Sequence, residues 1–237
     1  MAYKRLGVVG GMGPKATAVF FDKVIERTAA NRDQEHLDMI ILNHATLPDR
    51  TEVILNNRDE EFLQEIKRDL ELLERAGVGN IAIPCNTSHY FYHEMQAMTR
   101  VPIINMVEET LLEIQRQFGA NSRIGIMATN GTIRSGVYDK GCTTNGLQLV
   151  KPDEAMQKRI MDIIYQVKSK LDADVRDVEE IVRHFVQVLG CDCVILACTE
   201  LSCLTLGDEA AAYCIDAMDV LVRRAIERSG KTVREGR

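Results

Sequence analysis

Two cysteines in this chain stand in matching surroundings. Cys85 follows the apolar run Ile81-Ala82-Ile83-Pro84 and precedes Asn86-Thr87-Ser88, while Cys198 follows Val194-Ile195-Leu196-Ala197 and precedes Thr199-Glu200. At both points a run that would otherwise stay apolar turns polar. A thiol where a strand passes into a helix has backbone N–H groups beside it that can hold an anion, and the helix dipole draws its pKa toward the thiolate. Such a cysteine can act as a base at neutral pH. Asn and Thr are also ordinary N-cap residues, which explains one such junction but not the same arrangement twice.

Paired thiols suit one chemistry in particular, the inversion of a stereocentre. One base cannot reach both faces of a carbon, so one group removes the proton from one face while a second delivers a proton to the other. The two start in opposite protonation states and exchange them on turnover. The remaining five cysteines, Cys142, Cys191, Cys193, Cys203 and Cys214, read as small buried hydrophobes. The cluster from Cys191 to Cys203 contains no C-x₂-C pair and no following histidine, so no metal site is expected. Seven cysteines, an odd number, behind an N-terminus that lacks a secretory signal pattern fit free thiols in a reducing, cytoplasmic setting.

The elements that must position these residues alternate between short β-branched runs and longer amphipathic stretches, the pattern of parallel sheets covered by helices. Strands are expected at 6–10, 39–43, 80–85, 103–105, 123–128, 148–151, 193–198 and 212–216. A helix is expected over 60–76, with Phe62, Ile66, Leu70 and Leu73 on one face and Gly77 as its stop. The eight strands form two similar sets of four. Gly7-Val8-Val9-Gly10-Gly11 parallels Gly125-Ile126-Met127-Ala128-Thr129, and Ile83-Pro84-Cys85-Asn86-Thr87 parallels Leu196-Ala197-Cys198-Thr199-Glu200. Val8 lies 77 positions before Cys85 and Ile126 lies 72 before Cys198, the spacing of an internal duplication. The fold expected is α/β, with two similar open parallel-sheet, flavodoxin-like domains related by a pseudo-two-fold axis. Residues 1–105 plus 217–237 form the domain with Cys85, and residues 106–216 the domain with Cys198. Ligands bind at the carboxyl ends of strands in such sheets, so both thiols would face one cleft.

Several function classes drop out on composition. The net charge of −6 argues against binding a phosphate backbone, and the absence of Trp argues against base stacking. Short basic clusters such as Arg223-Arg224 read as solvated helix faces. No apolar run is long enough to span a membrane. A rival reading is a dinucleotide-binding module, because Gly11-Met12-Gly13-Pro14-Lys15-Ala16 fits G-x-G-x-x-A between a strand and a helix, with Asp33 or Glu35 roughly 20 residues on. Another is a non-catalytic amino-acid-binding protein on the same scaffold.

Four ordered motifs carry a more specific likeness: Gly10-Gly11-Met12-Gly13-Pro14, Pro84-Cys85-Asn86-Thr87-Ser88-His89, Ala128-Thr129-Asn130-Gly131-Thr132 and Ala197-Cys198-Thr199-Glu200. Over nearly its whole length the chain resembles the cofactor-independent aspartate/glutamate racemases, most closely the aspartate racemase branch. The resemblance implies catalytic thiols at Cys85 and Cys198, no cofactor, no metal, a small dicarboxylic amino-acid substrate and a homodimer. It places a cation at Arg50, within Pro48-Asp49-Arg50, and another at Lys168, on the helix after 148–151. Its motifs add Met12 and Thr129 to the substrate-binding residues. Glu200 stands where glutamate racemases usually carry a histidine, and Gly11-Met12-Gly13 replaces their Asp-Ser-Gly. A dicarboxylic substrate needs two anion sites. The amides of Asn86, Thr87 and Thr199 suit one carboxylate, and Arg50 with Lys168 suits the other.

Overall fold

A computed structural model describes residues 3–170 and 173–234. Its first sheet is parallel and holds β1 (Leu6–Gly10), β2 (Met39–Asn43) and β3 (Asn80–Ala82) in the order β2-β1-β3. The second, also parallel, holds β4 (Arg123–Ala128), β5 (Gln148–Val150), β6 (Cys193–Ala197) and β7 (Cys214–Asp216) in the order β5-β4-β6-β7. Each chain segment that opens a sheet thus sits between the next two strands, and the two halves share one topology. The central strands β1, β4 and β6 are buried throughout apart from Arg123, as apolar runs covered on both faces must be.

Three expected strands are cut short by two or more residues; the one over 212–216 is Cys214–Asp216, because the Ala212 and Tyr213 N–H groups donate to the Asp208 and Ala210 carbonyls at 3.1 Å and finish a helical turn. The segment expected over 103–105 is a single parallel bridge, Ile81 to Ile103. Pro102 has no N–H to extend the ladder, and Asn105 turns aside so that its side chain accepts the Glu108 N–H at 3.2 Å, capping the next helix. The strand expected over 80–85 stops at Ala82, because Pro84 removes a donor and the Cys85 N–H folds back to the Ile83 carbonyl at 2.8 Å.

The helices that concern the site are α1 (Pro14–Arg27), α2 (Arg50–Leu55), α3 (Asp59–Arg75), α4 (Tyr92–Ala97), α5 (Met106–Phe118), α6 (Asn130–Ser135), α7 (Val137–Thr144), α8 (Glu154–Lys170), α9 (Val175–Arg183), α10 (Asp208–Ala211) and α11 (Ala217–Arg228). The α3 helix buries Phe62, Ile66, Leu70 and Leu73 as its pattern requires. Helices α5 and α11 each follow the last segment of one half and pack across the middle: α5 against α7, β7 and α11, and α11 against α1, β3 and α5. Their contact is charged. The fully buried Glu113 carboxylate of α5 takes Arg223 and Arg224 of α11, and Glu109 takes Arg224 and Arg228. Arg223-Arg224 is therefore not a solvated face. Besides Asp219 and Glu227 on α11 itself, its partners are Glu109 and Glu113 on α5, more than a hundred positions away in sequence.

Among the described residues no helix is long and apolar enough to cross a membrane. All seven cysteines are free.

Candidate functional site

The loop between β1 and α1 forms one wall of the site. Gly11 adopts φ 93°, and a Cβ there would stand 2.4 Å from the His44 carbonyl carbon, so the loop after β2 can lie directly on it. The Gly11 N–H donates to Thr17 Oγ1 at 2.8 Å, and that hydroxyl donates to the Gly13 carbonyl at 3.0 Å. These glycines serve a close-packed turn tied to α1. The turn spends its first amide internally, in place of the open phosphate cradle that the dinucleotide reading requires.

Met12, Arg50, Cys85, Asn86, Thr87, Thr129, Lys168, Cys198 and Thr199, all nine site residues expected from sequence, line one cavity. Asp49, Thr51 and Glu200 complete it. The cavity holds about 10 Å³, room for about one water. A second cavity of about 390 Å³ adjoins it, shares Asp49, Arg50, Lys168 and Glu200 with it, and adds an apolar lining that includes Leu47 and Val167.

Cys85 is held by its backbone. Its carbonyl accepts Ser88 Oγ at 2.8 Å and His89 Nδ1 at 2.9 Å, while His89 Nε2 accepts the Met106 N–H at 3.1 Å. That arrangement fixes one tautomer of the ring, and burial lowers the His89 pKa, so the ring stays neutral. Next to it, Asn86 Oδ1 accepts the Tyr138 hydroxyl at 2.6 Å, which leaves Asn86 Nδ2 buried without a partner. Burial raises the Tyr138 pKa, so it remains a donor. The Thr87, Thr129 and Thr132 hydroxyls form a triangle at 2.9–3.1 Å that joins the two halves beside the thiols. Thr129 also caps α6, accepting the Thr132 N–H at 3.1 Å.

Arg50 is buried, and its guanidinium reaches only carbonyls: Pro48 at 2.9 Å, Leu47 at 3.3 Å and Met12 at 3.5 Å. Its Nε has no partner. Among the described residues neither Arg50 nor Lys168 forms an ion pair. Burial works against the Lys168 charge, but Glu200, Cys198, Asp49 and Cys85 outweigh it and raise the pKa. The site thus carries two fixed positive charges with no carboxylate bound to them.

Cys198 departs from expectation. The sequence pattern suggests a thiol acidified by a following helix, yet its pKa lies well above the ordinary value. Burial is the largest cause, followed by the Glu200 charge and the hydrogen bond that Sγ donates to Glu200 Oε2 at 2.9 Å; Lys168 opposes them. The helical turns after the two cysteines are also short, Thr87–Phe91 and Leu201–Cys203, so little dipole accumulates.

Two further residues of the site, Tyr138 and Thr132, carry no chemistry that marks them in the sequence; the one signal for Thr132 is its place in the Ala128–Thr132 motif. Tyr138 contacts Asn86 only through the fold, 52 positions away.

The Asp/Glu/Hydantoin racemase profile matches residues 9–225. The chain is 29% identical over 231 residues to the broad specificity amino-acid racemase RacX of Bacillus subtilis, covering 93% of this chain and 96% of that one. It resembles the solved aspartate racemase of Picrophilus torridus with a TM-score of 0.83 and 27% identity, covering 98% of this chain and 96% of that one. The glutamate racemase of Francisella tularensis, solved with D-glutamate, shares the fold at a TM-score of 0.60 and 16% identity, covering 94% and 79%.

Proposed function

The chain belongs to the Asp/Glu/Hydantoin racemase family, and from that premise we propose that it interconverts the L and D forms of a dicarboxylic amino acid, aspartate foremost, with Cys85 and Cys198 as paired proton-transfer groups. One observation carries the reading: a buried, un-ion-paired Arg50 shares a single small cavity with both thiols. Burying a cation against neutral carbonyls alone leaves much of its desolvation uncompensated. A substrate carboxylate supplies the missing charge, and the guanidinium fork suits its planar geometry.

In the proposed reaction the side-chain carboxylate rests on Arg50 and Lys168, and the α-carboxylate on the amides of Asn86, Thr87 and Thr199 with Asn86 Nδ2. One cysteine, as thiolate, removes the α-proton. The electron pair left on carbon delocalises into the α-carboxylate, where the donors stabilise the enolate-like dianion as an oxyanion hole would. The other cysteine, as thiol, protonates the opposite face. No group beyond the side chains of the chain is needed for either transfer.

A cavity of about 10 Å³ cannot admit an amino acid, so substrate enters when the halves part and the site closes around it. Residues 1–105 with 217–237 are taken as one moving unit and 106–216 as the other. The contact between α5 and α11, with its Glu113 and Glu109 ion pairs, joins the two units.

A wider substrate range is a second reading, favoured by the 390 Å³ cavity beside Arg50 and Lys168. The RacX relative, described as broad in specificity, points the same way. Circular dichroism on each enantiomer of aspartate and glutamate, then of longer neutral and basic amino acids, tests both. Loss of optical activity from either aspartate enantiomer is the expected result; no change with any dicarboxylic amino acid would refute the first reading.

A further inference from the structure

The two thiols are chemically unequal. Cys198 Sγ donates to Glu200 Oε2 at 2.9 Å, and Thr199 Oγ1 donates to the same oxygen at 3.5 Å. Glu200 Oε1 is buried without a partner, 3.3 Å from where a Cβ on Gly13 would stand, so the absence of a side chain at Gly13 leaves room for this carboxylate. Cys85 Sγ makes no hydrogen bond among the described residues. The side chains that anchor Cys85 bind its carbonyl and leave the sulfur alone. A carboxylate against a sulfur favours S–H and opposes S⁻. The remaining charged groups round the cavity are Asp49, Arg50 and Lys168, and Lys168 acts on both thiols.

We propose that Glu200 breaks the pseudo-symmetry of the site by biasing Cys198 toward its protonated form in the free enzyme, so that of the two starting states the one with Cys198 as acid and Cys85 as base is favoured, and the reverse state, used by the other enantiomer, is the less populated. The inference rests on the two-thiol reading above. In the first half of a cycle the α-proton passes to Cys85 sulfur, and the C–H electron pair stays on the substrate. The Cys198 S–H proton then joins the opposite face, leaving a Cys198 thiolate against the Glu200 carboxylate. That like-charge contact drives the reset, in which Cys198 takes a proton from solvent and Cys85 releases one to it. The free enzyme is thereby poised for the enantiomer whose α-hydrogen faces Cys85.

The test reads ionisation directly and needs no turnover. Thiolate absorbance near about 240 nm is titrated in C85A and in C85A/E200Q protein, with C85A/C198A and C85A/C198A/E200Q subtracted as their respective backgrounds, because Glu200 also raises Cys203. The subtraction is needed because other groups ionise in the same range: burial pushes Cys142 and Cys203 up to about 11 and Cys193 and Cys214 up to about 12, it raises Cys191 as well, and the six tyrosines absorb nearby once ionised. Glu200→Gln should lower the half-ionisation pH of Cys198 by about one unit or more. An unmoved Cys198 titration in C85A/E200Q would overturn the proposal. If the shift is found but the parent protein racemises nothing, the proposed function falls, and with it the acid and base roles, while the Glu200 control of Cys198 stands; if the parent racemises and the shift is absent, this inference alone falls.

Discussion

Arg50→Ala is the perturbation that reaches furthest into the proposed recognition of substrate. Arg50 is 8% exposed, its Nη atoms meet three carbonyls at 2.9, 3.3 and 3.5 Å, and its Nε meets nothing. A charge-assisted hydrogen bond contributes about 1.5–3 kcal/mol, and truncating one partner of a desolvated charge pair costs about 2–5 kcal/mol. At about 1.4 kcal/mol per factor of ten, kcat/KM for aspartate should fall by about 30- to 4,000-fold. Arg50→Lys keeps the charge but loses the fork and should fall between the two. Initial rates by circular dichroism from each aspartate enantiomer supply the numbers. Because Arg50 also ties the Leu47, Pro48 and Met12 carbonyls together, the urea midpoint is measured on the same samples, separating lost recognition from a loosened loop. Turnover of aspartate within threefold of the parent, or an equal loss for substrates with uncharged side chains, would refute the carboxylate assignment.

Two further substitutions probe the closed geometry and the buried thiols. A Cβ at Gly131 would lie 2.8 Å from both Cα and Oγ1 of Thr51, which follows Arg50 on α2, so Gly131→Ala should push α6 off α2. That should cost about 1–3 kcal/mol of stability and about tenfold or more in kcat/KM, and parent-like kinetics would show that the close approach is irrelevant to the site. Burial first, then Asp139, pushes Cys142 up to about 11, so the folded state holds a proton that the unfolded chain releases above its ordinary thiol range. That stabilisation is complete below about pH 8.5 and fades as pH rises toward 11, by about 2 kcal/mol near pH 10.5. Urea midpoints in Cys142→Ala should therefore fall less steeply with pH than in the parent; identical slopes would refute the point.

The strands that proved legible are those whose neighbours impose no competing demand. The runs at 6–10, 39–43 and 123–128 are bounded as their β-branched patterns imply. The run at 103–105 carries the same apolar signal, but the missing donor of Pro102 and the capping role of Asn105 outcompete the ladder there. At the site, residue types and duplication pointed to Cys85 and Cys198, and the likeness to a family supplied Arg50 and Lys168, which look like solvated charges by themselves. The Glu200 contact was not legible, because it depends on a side chain turning back onto the cysteine two positions earlier. The Glu113 pairs were hidden for a different reason: a buried ion cluster and a solvated charged helix face are written with the same residues.

The two-thiol mechanism is tested most directly by hydrogen exchange in deuterated water, with each aspartate enantiomer supplied separately to parent, Cys85→Ser and Cys198→Ser protein. Mass spectrometry and chiral separation then report deuterium at the α-carbon and configuration independently. Serine is far too weak an acid to replace either thiol, so both variants should lose racemisation by about a thousandfold or more. Each should still exchange the α-proton of one enantiomer with retention, and the two variants should favour opposite enantiomers. A single-serine variant that racemises aspartate near the parent rate, or two variants that exchange the same enantiomer, would contradict the assignment of one thiol to each face.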